Sequence, residues 1–179
     1  MRDNRRIDGY SLYELLMTLG LISLVLTLGI PSFGAMAANN RLRTEVDALF
    51  HAIHLARKSS VVRRQVVTLC PSKDGLFCDE STDWSTGWIM FSNRTRRDSD
   101  TRDENEPILR RHSAHPSNRI TANRRAFSLR STELRATNGT VVFCDRNGRG
   151  TARALVISYT GRPRVAYADR KGRPYTCAE

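Results

Sequence analysis

The chain has 179 residues, with 29 Lys and Arg against 18 Asp and Glu, a net charge of +11 and an isoelectric point near 10.4. It contains no internal repeat of solenoid length and no low-complexity tract, which excludes solenoid and low-complexity architectures. It also lacks a Ser/His/Asp or Cys/His set in plausible association, paired carboxylates in an apolar context, and a glycine loop that could cradle phosphates. The sequence therefore predicts no enzyme, no catalytic residue and no cofactor.

The N-terminal segment joins a short basic stretch to a long apolar one. Residues 1–9 hold three arginines and two aspartates, and residues 15–30 are apolar and uncharged. Glu14 lies at the junction, and a carboxylate in an apolar segment is costly enough to indicate a functional site with a cationic partner. We expect that partner to be the N-terminal amine of a neighbouring copy or homologue, created by cleavage after Gly9.

These residues resemble the start of type IV pilins and pseudopilins, which have a basic leader, a glycine, an aromatic residue and a glutamate at mature position five. Here the leader ends at Gly9, Tyr10 is the new N-terminus and Glu14 is the fifth mature residue. The resemblance implies that a prepilin peptidase cleaves after Gly9 and N-methylates Tyr10. It also implies that Glu14 serves assembly with other major and minor pilins. An ordinary secretory signal is the alternative, although an acid directly after the leader is a poor start for its apolar region.

The apolar segment also predicts location. About 20 apolar residues are needed to cross a bilayer as helix, so the span must extend beyond residues 15–30 to roughly 10–38. The basic leader stays in the cytoplasm by the positive-inside rule. The prediction is a single-pass inner-membrane protein that assembles into a pilus or pseudopilus. Its parts are a leader (1–9), a transmembrane and assembly half of the helix (10–38), an amphipathic half (39–60) and a periplasmic β-rich head (61–179).

The second half of the helix, predicted to end near residue 60, has one apolar stripe. Apolar residues recur there at steps of four and three, which predicts a helix face that buries against a sheet; they are Leu42, Val46, Leu49, Ile53 and Ala56. Charged residues, including Glu45, occupy the other faces. After the helix, residues 61–69 and 87–91 are predicted strands.

Four cysteines, an even number, predict two disulfides in an extracytoplasmic domain. Three pairings are possible; we favour Cys70 with Cys78 and Cys144 with Cys177, because the second bond would anchor a C-terminal tail that otherwise frays. Zinc is the alternative, but the spacing does not fit a CxxC pair and no metal is predicted. The pairs His51/His54 and His112/His115 could chelate a metal, although such pairs are far more often solvated or partly buried side chains.

Residues 70–78 have the pattern Cys-Pro-Ser-x-Asp-Gly-x-x-Cys and are followed by Trp84 and Trp88. This stretch resembles the GspH/FimT branch of the minor pilins. The two tryptophans are predicted to be packing residues rather than a platform for stacking bases. The fold class implied is α+β and type IV pilin-like, with a long N-terminal helix packed on an antiparallel β-sheet head.

The rest of the chain is predicted to be loops and strands. Residues 93–135 begin as an exposed loop of mixed charge and continue as short strands. Strands follow at 140–144, 152–159, 164–168 and 174–178, separated by three arginine-containing turns at 145–150, 160–163 and 169–173. Asn147-Gly148 indicates a hairpin, because both residues tolerate positive φ. In a simple meander the first and third turns share one end of the sheet, and the second lies at the other.

Residues 158–164 resemble the S-x-x-G-R-x-R signature of FimT-type minor pilins that bind DNA during natural transformation. Gly161 permits a tight turn and Pro163 stiffens it, so Arg162 and Arg164 can each hold a phosphate through two hydrogen bonds. Such binding is independent of base sequence. Further basic residues would widen the patch if they lie within reach; these are Arg146, Arg149, Arg153, Lys171 and Arg173. Because the meander puts the turns at two ends of the sheet, either the patch wraps an edge or only part of this set contacts DNA.

Two functions follow from these patterns. The first is a minor pilin, in or at the tip of a type IV pilus, that binds the phosphate backbone of DNA for uptake in natural transformation. The second is a structural minor pilin or a type II secretion pseudopilin that primes filament assembly without binding DNA. In the second case Arg162 and Arg164 are surface charges, paired with acids such as Asp169 or Glu179.

Overall fold

The computed structural model describes residues 10–94, 101–131 and 136–177, except for the side chains of residues 28–32. The predicted leader, with Gly9, lies outside the described residues. Residues 1–37 and 38–179 form two compact units. The main hydrophobic core extends from Leu42 to Ile157 and therefore belongs to the second unit.

One helix, α1, spans Leu12–Arg63. Ser11 caps its N-terminus, because the Ser11 Oγ accepts a hydrogen bond from the Glu14 amide at 3.3 Å. The predicted helix end near residue 60, and the strand start at residue 61, are wrong by a few residues because residues 61–63 continue the helix. Arg64 then takes a left-handed φ of 51°, a conformation common where helices end.

Within the described residues, eight strands follow the helix: β1 (Val66–Pro71), β2 (Trp88–Asn93), β3 (Ile108–His112), β4 (Asn118–Ala122), β5 (Phe127–Leu129), β6 (Gly139–Asp145), β7 (Arg153–Ile157) and β8 (Pro163–Ala166). They form two four-stranded antiparallel sheets, ordered β3-β2-β1-β5 and β4-β6-β7-β8. The predicted α+β class, a long helix on an antiparallel β head, is confirmed.

The predicted apolar stripe of α1 is confirmed as the centre of the core. Its five residues are at most 2% exposed, and they pack in one cluster with side chains from both sheets. Trp84 and Trp88 are buried in the same cluster, as predicted. One helix face therefore covers two sheets at once.

Glu45 is the residue that the helical pattern placed wrongly. It is buried, and its carboxylate is 2.7 Å from His112 Nε2 and accepts a hydrogen bond from the His115 amide, also at 2.7 Å. Burial acts to raise the pKa of Glu45, but these two hydrogen bonds and the electrostatic attraction of His112 and His115 together outweigh it, so the pKa lies below its ordinary value of 4.5. His112 and His115 are 67 and 70 positions from Glu45 in the sequence, so the periodicity of the helix could not indicate these contacts.

Both disulfides form with the pairing that the sequence favours. Cys70 bonds to Cys78 and Cys144 bonds to Cys177, with Cα–Cα distances of 5.5 and 5.8 Å. The predicted strand 174–178 is wrong over its described part, because Pro174 makes only an isolated bridge with Ala168. Proline has no amide to donate to a ladder, so the disulfide holds this segment instead.

The Glu45 site predicts a stability that depends on pH. Because the folded pKa is lowered, the stabilisation from the carboxylate is complete above pH 4.5 and is lost as pH falls through the folded pKa. Glu45→Gln should lower the free energy of unfolding at neutral pH by about 1.5–3 kcal/mol, the range for hydrogen bonds to a charged group. Urea denaturation followed by tryptophan fluorescence measures this.

Asp47→Asn is the matched control. Asp47 is an exposed acid of the same helix, paired with Arg43 at 3.8 Å, and such surface pairs contribute only about 0.3–0.5 kcal/mol. The difference between wild type and Glu45→Gln should shrink as the pH is lowered toward about 3. A difference that stays constant from neutral to acid pH contradicts the assignment.

Candidate nucleic-acid interface

The turn between β7 and β8 is closed by its first residue, Ser158. The Ser158 amide donates to the Arg162 carbonyl at 3.1 Å, and the Ser158 Oγ accepts from the Arg162 amide at 3.2 Å. Gly161 donates to the Ser158 carbonyl at 2.9 Å and has a φ of 70°. A three-residue loop that ends in a left-handed residue favours glycine, which accounts for the serine and the glycine of the motif.

This turn is also anchored to the rest of the head. The Tyr159 carbonyl accepts a hydrogen bond from the Ala136 amide at 2.9 Å. A Cβ at Gly161 would be 3.4 Å from Ala136 Cβ and 3.5 Å from Leu129 Cδ2, so the turn lies against the segment that follows β5. Both of its ends are therefore fixed.

Arg162 and Arg164 project from this fixed turn into solvent. Both are exposed, and within the described ranges no acid forms an ion pair with either guanidinium. Asp169, suggested by the sequence as a partner, instead pairs with Arg173; Glu179 lies outside the described residues. Both arginines can therefore contact an anion.

A groove of about 530 Å³ opens beside Arg164. Its floor crosses the second sheet, where Arg164 pairs with Val156 and Val156 pairs with Thr140. Its wall is formed by residues 169–175. This segment doubles back so that the Tyr175 amide donates to the Tyr167 carbonyl at 3.1 Å. The charged residues that line the groove are Arg164, Asp169, Arg170, Lys171 and Arg173.

Asp169 organises the wall of the groove. The Arg173 and Lys171 amides donate to its carboxylate at 2.9 and 2.7 Å, and the Arg173 guanidinium lies 2.8 Å away. The backbone hydrogen bond from Arg173 contributes most to lowering the pKa of Asp169; burial opposes it, and the remaining contacts lower it further. Asp169 therefore stays ionised and neutralises Arg173, and Arg170 and Lys171 remain exposed.

The third turn does not lie at the end of the sheet where a simple meander would put it. The third turn folds back over the sheet, so Lys171 and Arg173 line the groove beside residues 138–140 and 157–159. The disulfide between Cys144 and Cys177 holds the segment that follows. Long-range contacts of the C-terminal segment, and not the order of the strands, set this position.

Arg146 and Arg149 lie at the opposite end of the sheet, beyond the C-terminus of β6, whose seven residues span roughly 20 Å. Arg146 Nε donates to the Asn118 carbonyl at 3.2 Å, and the Arg149 amide donates to Asp145. In this turn Gly148 has a positive φ and Asn147 does not, and the hairpin that the dipeptide predicts is present between β6 and β7.

Arg153 is also engaged, since its guanidinium lies 5.8 Å from the centre of the Tyr167 ring. The structure therefore brings together Gly161, Arg162, Arg164, Lys171 and Arg173, and leaves Arg146, Arg149 and Arg153 apart. Residues 170, 159 and 175 also belong to the groove but were absent from the predicted set. Arg170 could have been found from the charge of its turn; the two tyrosines carried no local signal.

The histidines of the two pairs make other contacts. Within residues 10–94, 101–131 and 136–177, no group of three or more His, Cys, Asp or Glu could hold a metal ion. His112 and the backbone of His115 hold Glu45, and the rings of His51 and His54 contact Phe50.

Tyr10 and Glu14 lie at the start of the first unit. Glu14 is in the first turn of α1, three residues after the capping Ser11, where the helix dipole favours an acid. The large apolar side chains described in this unit, such as Leu15 and Leu24, are exposed in the isolated chain. Among the described residues, no helix combines the length and apolarity required to cross a membrane.

Comparison with known proteins agrees with this fold. A family model described as Type II transport protein GspH matches residues 45–161. The type IV minor pilin FimU of Pseudomonas aeruginosa matches with a TM-score of 0.52 and 18% identity, over 71% of this chain and 89% of FimU. The minor pseudopilin EpsH from the Type 2 Secretion System of Vibrio cholerae matches with a TM-score of 0.51 and 7% identity, over 70% of this chain and 96% of EpsH.

No curated protein sequence matches the chain significantly. The family model covers well over half of the 179 residues and includes all the strands from β1 to β7. The chain therefore belongs to the GspH family and has the fold of type IV minor pilins and pseudopilins.

Proposed function

We propose that this minor pilin or pseudopilin is a subunit of a type IV pilus and binds DNA, without base preference, for uptake in natural transformation. The observation that carries the proposal is the fixed turn that presents Arg162 and Arg164 to solvent without acidic partners. Each guanidinium is a planar fork that matches two phosphate oxygens. Because the turn is already ordered, little additional entropy is lost when a phosphate is bound.

The interface that we propose has four cations. Arg162 and Arg164 come from the β7–β8 turn, and Arg170 and Lys171 come from the wall of the groove. Arg173 contributes less because Asp169 neutralises it. Arg146 and Arg149 lie at the far end of the sheet and take no part, in contrast to the wider patch that the sequence predicts.

The alternative function is a structural minor pilin or type II secretion pseudopilin that primes assembly. The GspH family and the likeness to EpsH favour it. The two functions share the fold and the N-terminal segment, and they differ only in what the exposed arginines do. Binding measurements therefore separate them.

For assembly, we propose that cleavage after Gly9 leaves an N-methylated Tyr10 and that Glu14 pairs with the N-terminal amine of a neighbouring pilin. Prepilin peptidase is the processing partner. Glu14 is the only charged residue between positions 9 and 40, and no residue of the described chain forms an ion pair with it. A cation from another subunit would satisfy it.

The apolar residues of this segment support a location in the inner membrane before assembly, with the head in the periplasm. Nine of them are between 52% and 78% exposed in the isolated chain: Leu12, Leu15, Leu16, Leu19, Leu21, Ile22, Leu24, Val25 and Leu26. Surface this apolar needs lipid or other helices to cover it. We propose residues 10–38 as the membrane and assembly segment, 39–60 as the amphipathic half of the helix and 61–179 as the head.

The DNA interface is tested by Arg162→Gln/Arg164→Gln in residues 38–179, the unit that holds the main core. Four phosphate contacts predict that the logarithm of the affinity for duplex DNA falls with the logarithm of salt at a slope of about −3.6. The double variant should bind at least about tenfold more weakly, with a slope near −1.8. Fluorescence anisotropy over a salt series measures both quantities.

Arg43→Gln/Arg149→Gln is the charge-matched control. Arg43 is exposed on α1, and Arg149 is exposed at the opposite end of the sheet. This variant should keep the wild-type slope. Unchanged affinity in Arg162→Gln/Arg164→Gln, or an equal loss in the control, would refute the assignment.

The assembly role is tested by Glu14→Ala in the full chain. The variant should be cleaved after Gly9 and remain in the membrane fraction, but it should be missing from sheared filaments, because an intramembrane amine loses its counter-ion. Immunoblots of both fractions and the mass of the N-terminal peptide provide the measurements.

Ser11→Ala is the control for helix capping. It removes the hydroxyl that accepts from the Glu14 amide but keeps the carboxylate, so we expect normal incorporation. Incorporation of Glu14→Ala at the wild-type level contradicts the pairing, and equal loss in Ser11→Ala indicates a capping role instead.

A further inference from the structure

The groove beside Arg164 has features that binding to a duplex does not use. Its volume of about 530 Å³ lies in the range of sites that enclose small molecules, roughly 300–1,000 Å³. Besides its charged residues it is lined by two tyrosines, Tyr159 and Tyr175, and two amides, Asn123 and Asn138. A duplex presents its phosphates outward and keeps its bases stacked, so it can contact exposed arginines but cannot insert a base into a groove.

The charges of the groove suit one or two phosphates. Asp169 is the single acid of the lining, and Arg173 neutralises it through a 2.8 Å ion pair. Arg164, Arg170 and Lys171 remain as net positive charges around the opening. A phosphate that enters the groove therefore meets cations and no uncompensated acid.

The aromatic residues suit a base. Tyr159 is 57% exposed, and its carbonyl accepts a hydrogen bond from the Ala136 amide, so the backbone that carries the ring is fixed. Stacking on such rings is the main way in which proteins bind unpaired bases of any sequence. Asn123 is also fixed, because its Oδ1 accepts a hydrogen bond from the Thr140 amide at 2.8 Å, and its amide nitrogen can donate to the edge of a base.

We propose that this groove binds an unpaired nucleotide of DNA, with its phosphate near Arg164 and Lys171 and its base against Tyr159. The protein would then bind single-stranded DNA, or the single-stranded end of a duplex, through the groove. It would bind continuous duplex through the four cations of the proposed interface, Arg162, Arg164, Arg170 and Lys171. The inference rests on the DNA binding proposed above and specifies the form of DNA that the groove accepts.

The test uses the full chain in detergent and three labelled probes of equal length: single-stranded DNA, a blunt duplex and a duplex with a single-stranded overhang. Tyr159→Ala should weaken binding of the single strand and of the overhang roughly 5- to 150-fold, the range for the loss of one stacked base. Blunt duplex binding should not change. Tyr159→Phe keeps the ring and should restore single-strand binding.

Tyr167→Ala is the matched control, because Tyr167 is a tyrosine of equal exposure, 58%, that does not line the groove. It should bind all three probes like the wild type. Equal weakening of single strand and duplex by Tyr159→Ala, or no weakening at all, overturns the inference.

Photo-crosslinking of the unmodified protein gives a second test that does not depend on the folding of a variant. Single-stranded DNA with 5-iodouracil should crosslink to Tyr159 or Tyr175, and crosslinks only outside the groove overturn the inference. The two proposals fail separately. Duplex binding that is unchanged in Arg162→Gln/Arg164→Gln refutes the duplex interface. Single-strand binding that is unchanged in Tyr159→Ala refutes only the proposal for the groove.

Discussion

The packing of one helix stripe against two sheets is the constraint on which the head depends. The two sheets are separate hydrogen-bonded ladders, and the stripe of α1 enters a cluster with side chains from both. Leu42, Leu49 and Ile53 are almost fully buried there, and burial of each such side chain contributes about 1.5–3 kcal/mol. Residues 82–84 add a short backbone link, since the Trp84 amide donates to the Ile120 carbonyl of β4. The relative position of the sheets therefore depends on side-chain packing.

The candidate interface lies where the two sheets meet. Gly161 faces Leu129 of β5, in the first sheet, while Arg162 and Arg164 belong to the turn and strand of the second. The segment after β5 bonds to both sides, because the Thr137 amide donates to Ser128 and the Ala136 amide donates to Tyr159. Packing of the core thus fixes the place of the turn, and the hydrogen bonds of Ser158 fix its shape. The groove depends in addition on the C-terminal segment, which must fold back over the second sheet.

Features with a local cause could be predicted from the sequence. The apolar stripe of α1 was predicted from the period of its apolar residues. The burial of both tryptophans was predicted from their size and spacing, and the tight turn was predicted from Gly161. Features with distant causes could not. Glu45 looked like a surface residue because its partners, His112 and His115, lie almost seventy positions away. The third turn was placed at the wrong end because strand order alone does not show a segment folding back. Arg146 and Arg149 were grouped with the other arginines by charge alone, although strand order already puts the first and second turns at opposite ends of the sheet.

Charge and apolar surface are segregated along the chain, and this separates the two proposed roles. Between positions 9 and 40 the only charge is Glu14, whereas the basic residues of the interface lie between 162 and 171. DNA does not contact an apolar segment that is covered by lipid or by other helices. Salt screens the attraction between the head and phosphate beyond short distances, so this attraction does not depend on the apolar segment. Loss of Glu14 should therefore leave the intrinsic affinity of the head for DNA intact. A filament that incorporates the subunit would carry that affinity to wherever the head is exposed.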